Sequence, residues 1–450
     1  MAASHRNHIV ILGLVLLAIA VRMVNLGGDS LWLDEAATVI VAEEDLGVLL
    51  AGDAVASHPP GYYLIIRQVL EFSDSEAAIR APSAIASALT VLTVYMLTRR
   101  LFGPAIALLA SLVLIFSPLD VWYAQEARQP AFASLAIFLG VYGLVRQDIL
   151  GRVIAILALA AGLYVDFIVA GGWLAVGAAW CYWWWKRDRL QVRWWILVTG
   201  AAAVIIAPIP GWRFSEGVSH LFEYARVWYG DVFGSDQVTS SSLGILAFVF
   251  AISLMAAWIA GRLLRGSRRE IWGLLALGAF AIFTIATPIP RAFSVKKVLV
   301  VGWPLIAIAI AVILYEVIKP RLRLSVGSFI IAISVAAVVF VYLLPKDDWR
   351  SAVAHVNATA AENDIAWVSD EPWADNAYRY YNGRLPVFNE VSAEGLDLAT
   401  GRVWLITKRR SQDPIPSITA EAWFDQNWTF LDERPFYRLA VRVYRPPIAN

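Results

Sequence analysis

The sequence predicts an α-helical polytopic membrane protein with a small α/β soluble domain at its C-terminal end. Three observations carry that expectation. The 450 residues are 59% hydrophobic and 16% charged, whereas a soluble domain is roughly 45–50% apolar and about 25% charged. Apolar runs recur from residue 9 to residue 344, and a spanning helix needs roughly 20 apolar residues. After Leu344 the composition turns polar and mixed. Together these exclude a soluble cytosolic enzyme, a disordered chain and a fibrous protein. The net charge of +1 gives no electrostatic case for a nucleic-acid partner. A single cysteine, Cys181, allows no disulfide within the chain.

The first apolar run, His8–Leu26, resembles a signal peptide, but RMVNLGGDSLW offers no small-residue cleavage site, so it reads as a retained span. Further spans are expected at Ile79–Thr98, Ala105–Ser117, Pro130–Val145, Val153–Val165, Phe167–Trp185, Trp194–Pro208, Leu243–Leu264, Ile271–Thr287, Val298–Ile318 and Leu324–Leu344, about eleven in all with the first. Several are short and must tilt or borrow flanking residues. Gly61–Phe72 is apolar but only twelve residues long, with Arg67 and Glu71 inside it. If it does not span, one set of loops collects Arg99, Arg100, Arg146, Arg152, Lys186, Arg187, Arg262, Arg265, Lys319 and Arg321. The richer side faces the cytoplasm. Gly61–Phe72 then lies on the membrane surface as an amphipathic helix. The N-terminus is cytoplasmic, and an odd number of spans puts residues 345–450 outside. In that tail Asp348–Ala361 and Trp373–Tyr381 read as helices, and Ile365–Ser369, Val403–Lys408 and Tyr437–Tyr444 as strands. The expected division is residues 1–344 as the membrane domain, with a first external loop at 27–78, and 345–450 as the soluble domain.

The informative polar residues lie in the external loops. Asp34 and Glu35 follow Trp32 in SLWLDEAA. They suit a helix N-terminus, with Ser30 as cap. They equally suit a carboxylate placed to take a proton from a hydroxyl. The same loop ends in HPPGYY, where Pro59 and Pro60 fix the backbone beside His58 and Tyr62. Arg80 opens the second span, as a snorkelling anchor or as an anion-binding guanidinium. Between two spans, DVWYAQEARQP places Asp120, Tyr123, Gln125, Glu126 and Arg128 together. Ionisable groups at membrane depth are costly and point to function. Arg291, Lys296 and Lys297 form an external cation cluster that suits a phosphate or anchors the next span. No Walker motif, GxGxxG or Cys/His metal spacing is present, and two glycosylation sequons, at Asn357 and Asn427, are weak signals.

SLWLDEAATV, HPPGYYLI, RAPSAIASALTVLTVYMLTRRLFG and SPLDVWYAQEARQPAFASLAIF, in this order, resemble the N-terminal half of prokaryotic family 39 glycosyltransferases. That group has the GT-C fold and includes protein O-mannosyltransferases and the aminoarabinose transferases of lipid A as relatives. The resemblance covers about residues 8–185. It implies a polyprenyl-phosphate-sugar donor, a bilayer setting, and a glycan, lipid or protein acceptor. It makes Asp34 the candidate base for inverting transfer, beside Glu35. It makes His58, Tyr62, Arg80, Tyr123, Gln125, Glu126, Arg128, Lys296 and Lys297 candidates for donor-phosphate or acceptor binding. Many relatives carry an Arg-Tyr pair where Lys296-Lys297 stands. A divalent metal on Asp34 and Glu126 stays open, and no other cofactor is expected. A transporter or flippase of a lipid-linked or small anionic substrate is the alternative; it would expect repeat symmetry and charge near span centres. Removing residues 345–450 is expected to impair acceptor use more than donor binding.

Overall fold

The computed structural model describes residues 2–51, 58–185, 189–208, 295–368, 374–388, 401–408 and 420–446. The expected spans Leu243–Leu264 and Ile271–Thr287, and Arg291, lie outside the described residues. Two compact units are formed. A helical unit comprises Met1–Val24, Asp45–Ile65 and Arg80–Val341; a mixed unit comprises Asn25–Glu44, Ile66–Ile79 and Tyr342–Asn450. The mixed unit therefore holds more than the tail: two pieces of the first loop belong to it.

The elements in chain order are α1 (Ala2–Met23), α2 (Leu33–Glu43), α3 (Leu46–Ala51), α4 (Gly61–Leu70), α5 (Glu76–Phe102), α6 (Pro104–Ile115), α7 (Pro118–Ala124), α8 (Pro130–Arg146), α9 (Ile149–Val165), α10 (Ile168–Trp185) and α11 (Arg189–Ile206). Then follow α12 (Val295–Val317) and α13 (Pro320–Tyr342). The expected spans among the described residues all fall on these helices. By length and apolar character, three described helices can cross a membrane: α5, α11 and α13. A fourth is the pair α6–α7, bent by 59°. The expected span Ala105–Ser117 ends where this bend begins. The cause is local: Ser117 caps α7 through the Asp120 amide at 3.2 Å, and Pro118 sits at the first helical position. Gly61–Phe72 is a helix, as expected, over Gly61–Leu70.

In the helical unit, α8 and α9 form a tight antiparallel pair. The chain turns through Gln147 in the left-handed region, and Asp148 caps α9 through the Gly151 amide. A Cβ on Gly143 would stand 2.3 Å from the Gly151 carbonyl oxygen, so only glycine permits that approach. Helix α12 packs on α6 and α8, and α11 on α9. The apolar core runs through α1, α5, α6, α8, α9, α10, α11 and α12.

The mixed unit is α/β, as the tail's pattern predicts. It adds α14 (Trp349–Thr359), β1 (Ile365–Val368), α15 (Ala374–Tyr380), β2 (Val387–Phe388), β3 (Val403–Lys408), α16 (Ala420–Asn427), β4 (Thr429–Phe436) and β5 (Leu439–Arg445). The sheet order is β2-β1-β3-β5-β4. Strands β1, β2 and β3 run parallel, and β5 is antiparallel to β3 and β4. Two elements differ from the expectation. Tyr437 and Arg438 are the turn of a β4–β5 hairpin rather than the start of a strand, with Arg438 at φ 57°. Strand β4 escaped the sequence reading because TFLDERPF is an edge strand, largely exposed, without alternation. Asp364 fastens the sheet: Trp404 Nε1 and the Ala361 amide donate to it at 2.8 and 2.9 Å, and Arg402 pairs with it at 2.8 Å. Burial pushes the Asp364 carboxyl up, but these donors outweigh burial and hold it below its ordinary value.

Candidate functional site

The first candidate cluster belongs to the helical unit. His58 is half-buried, and Pro59, Pro60 and Gly61 are buried behind it. A Cβ on Gly61 would stand 2.4 Å from the Tyr164 carbonyl oxygen, so the start of α4 lies directly on the end of α9. That contact fixes where Tyr62 and Tyr63 begin. Tyr62 is fully buried; its hydroxyl is 2.8 Å from Ser83 Oγ, and its ring meets Phe132 edge-on at 5.6 Å. Ser83 Oγ also donates to the Arg128 carbonyl at 3.1 Å. Gln129 donates to the Tyr63 hydroxyl at 3.4 Å. One serine on α5 thus ties α4 to the Gln125–Arg128 bend. Arg80, one turn before Ser83, is 1% exposed.

The bend itself joins α7 to α8. Arg128 N donates to the Glu126 carbonyl at 2.8 Å, and Pro130 starts α8. Trp122 Nε1 donates to Glu126 Oε1 at 2.7 Å, which aims that carboxylate. Glu126, Arg128 and Tyr123 are all buried. Gln125 faces elsewhere: its amide donates to the Arg22 and Val24 carbonyls at 3.1 and 2.7 Å, closing the C-terminal end of α1. Beneath it lies a buried pair with no local signal in the sequence. Arg22 meets Asp120 Oδ2 at 2.5 Å, and its Nε donates to Ser87 at 2.6 Å. Ser87 donates to the same Asp120 oxygen at 2.6 Å. Arg22 had looked like the flank of an apolar run; only packing shows that it is fully buried.

The acidic motif belongs to the mixed unit. Ser30 does not cap α2; Trp32 is the N-cap, and its amide donates to Glu35 Oε2 at 3.3 Å. Ser30 Oγ instead accepts from the Arg350 amide at 3.1 Å. Glu35 is fully buried and pairs with Lys346 Nζ at 3.4 Å. Asp34 is more exposed than Glu35. The segment before α2 is held by the Tyr381 hydroxyl, which accepts from Leu31 N at 2.7 Å and donates to Glu76 Oε1 at 3.1 Å. Arg350 pairs with the same Glu76 oxygen at 2.6 Å, and Tyr380 donates to the Asp74 carbonyl at 2.7 Å. Burial pushes the Tyr381 hydroxyl above the usual phenol range, so it stays a donor. Lys346, Glu76, Arg350 and Tyr381 carried no local signal in the sequence.

Lys296 and Lys297 fall in the first turn of α12. Among the described residues, no group of three His, Cys, Asp or Glu side chains is placed to hold a metal ion.

Residues 57–212 match the family model described as dolichyl-phosphate-mannose-protein mannosyltransferase. A search of curated proteins by sequence returns no match. The structure is similar to that of ArnT from Cupriavidus metallidurans in the apo state, with a TM-score of 0.62 at 15% identity, over 98% of this chain and 98% of that one. The chain has the GT-C fold. The same protein bound to undecaprenyl phosphate aligns with a TM-score of 0.56 at 14% identity, over 96% of this chain and 97% of that one. The archaeal oligosaccharyltransferase AglB from Archaeoglobus fulgidus, in complex with an inhibitory peptide and a dolichol-phosphate, aligns with a TM-score of 0.55 at 12% identity, over 90% of this chain and 70% of that one. Within this GT-C fold the motifs that carried the sequence resemblance divide: HPPGYY, Arg80 and the Gln125–Arg128 bend belong to the helical unit, and Asp34-Glu35 to the mixed unit.

Proposed function

We propose that this GT-C chain is an integral membrane glycosyltransferase that moves a sugar from a polyprenyl-phosphate-sugar donor to an acceptor hydroxyl at the external face, with inversion. The observation that carries the reading is the burial of two guanidinium groups, Arg80 at 1% and Arg128 at 8% exposure, in a unit whose described residues include three helices long and apolar enough to cross a membrane. Charges are rarely kept there without a task. Asp34 takes the proton of the acceptor hydroxyl as its oxygen attacks the anomeric carbon. The bond from that carbon to the phosphate oxygen breaks, and the polyprenyl phosphate leaves with the electron pair. Arg80 and Arg128, with Lys296 and Lys297, stabilise the negative charge on the departing phosphate; stabilising developing charge is usually the largest catalytic effect. Glu126, held by Trp122, orients the acceptor. The distribution of Arg and Lys in the loops supports a plasma-membrane protein with a cytoplasmic N-terminus and an external C-terminal domain.

The test is transfer by the purified protein in lipid nanodiscs. Polyprenyl-phosphate sugars and nucleotide sugars are offered side by side, with and without divalent metal. The expected result is turnover of one lipid-phosphate sugar, lowered by about 10²–10⁴-fold in Asp34→Asn. Full activity of that variant removes Asp34 as base. No turnover of any donor, with lipid moved between leaflets instead, turns the reading to a transporter.

A further inference from the structure

The base-bearing helix α2 is supported from the other end of the chain. Glu35, next to Asp34, is fully buried, and its carboxylate meets Lys346 Nζ at 3.4 Å. Lys346 is itself 9% exposed at the side chain and lies just before α14. Removing one partner of a buried ion pair is costly, so the lysine contributes to keeping Glu35 inside, beside the Trp32 amide. The segment leading into α2 is fixed in the same way, by the Arg350 amide on Ser30 and the Tyr381 hydroxyl on Leu31 N. Helix α15 packs directly on α2.

We propose that Lys346 is a positioning residue for Asp34, and that the C-terminal domain serves the chemical step by holding α2 through Lys346, Arg350 and Tyr381. The proposal rests on the glycosyltransferase reading for its kinetic consequence, while its structural consequence stands alone. It adds to the domain a role that acceptor binding does not cover. Asp34 is offset by one residue from Glu35, so a shift of the Glu35 side chain out of its site rotates or lifts the turn that carries both.

Lys346→Met and Lys346→Arg are compared with the full-length wild type in nanodiscs. Amide hydrogen exchange is read first. In Lys346→Met the amides of residues 33–43 are expected to exchange at least tenfold faster, while those of α5 and β3 keep their wild-type rates. In Lys346→Arg the charge is kept and protection of 33–43 returns. Kinetically, kcat for transfer falls by about 10²-fold in Lys346→Met, as expected for a displaced catalytic group, with KM for the donor within twofold of wild type. Lys346→Arg recovers most of kcat. Unchanged exchange at 33–43 in Lys346→Met overturns the proposal whatever the donor proves to be. A raised acceptor KM with unchanged kcat also overturns it and leaves the domain as an acceptor-binding module. If the wild type transfers no sugar, the glycosyltransferase reading fails, and the exchange result still decides the positioning role. Loss of protection throughout the mixed unit in Lys346→Met, including β3, without recovery in Lys346→Arg, shows a general structural role and overturns it too.

Discussion

In the helical unit the buried charge of Arg22 on α1 is met by Asp120 on α7 and Ser87 on α5, all within residues 2–124. In the mixed unit the buried charge of Glu35 is met by Lys346, 311 residues further along the chain. The first pair is a structural seam. It ties the end of α1 to α5 and α7 beneath the Gln125–Arg128 bend. The second pair supports the helix that carries the candidate base. A motif and its support are therefore separable: the motif is local in sequence, and the support need not be.

The largest expected break in this comparison is at the seam. Arg22→Met leaves Asp120 buried without its cation and is expected to cost about 3–5 kcal/mol, as measured for one-sided removal of buried pairs. The check is the midpoint of tryptophan fluorescence on chemical unfolding in nanodiscs. The double change Arg22→Met with Asp120→Leu removes both charges and should recover most of that loss. No recovery means that the pair does more than neutralise itself.

A second, smaller effect is expected in the mixed unit at Asp364, where a single carboxylate receives Trp404, Ala361 and Arg402. Asp364→Asn gives up its charge to Arg402 and an acceptor, for a loss of about 1.5–3 kcal/mol. The pH dependence follows from the lowered pKa. The stabilisation is present above the unfolded value, about 3.9, and is lost as pH falls through the folded value. Thermal unfolding of this unit should therefore steepen in acid for the wild type and flatten for Asp364→Asn. His355 adds in the same direction at higher pH. Burial first, then Arg434 at 3.3 Å, lower its pKa. Stability then falls as pH drops below the ordinary histidine value.

The smallest effect sharpens the site rather than breaking it. Gly61→Ala drives a methyl toward the Tyr164 carbonyl and should cost about 1–3 kcal/mol. If α4 relaxes by sliding, Tyr62 leaves Ser83, and donor KM rises with the loss of stability. A stability loss with wild-type KM confines Gly61 to packing.

Much of the fold is visible in the sequence because membranes impose long apolar helices and tails do not. His8–Leu26, Ile79–Thr98 and Pro130–Val145 all lie on helices within a few residues. The expected helix at Gly61–Phe72 is equally clear, since two prolines precede it. The break at Ser117 was harder, because a serine cap and a proline inside an apolar run look like one span until the backbone turns. Strand β4 was illegible because it is paired on one side only and buries little. Among the candidate residues of the two units, Asp34, Arg80, Glu126 and Arg128 stand out since charges beside apolar sequence need a reason. Ser83, Arg22 and Lys346 do not stand out. Their roles come from contacts across 45, 98 and 311 residues, which no local pattern encodes.

The span between Glu35 and Lys346 also sets an order of events at synthesis. The acidic loop emerges 311 residues before its partner Lys346, with Arg350 and Tyr381 later still. At about 5–20 residues per second, the loop waits roughly 15–60 s for the lysine to be made. During that interval α2 and the segment before it lack the contacts from Lys346, Arg350 and Tyr381. A chain cut short before Lys346 would hold every residue of the family-matched segment at 57–212 and still lack the Lys346 contact to Glu35. The Glu35–Lys346 contact is thus made only after every motif of the loops before it has been synthesised.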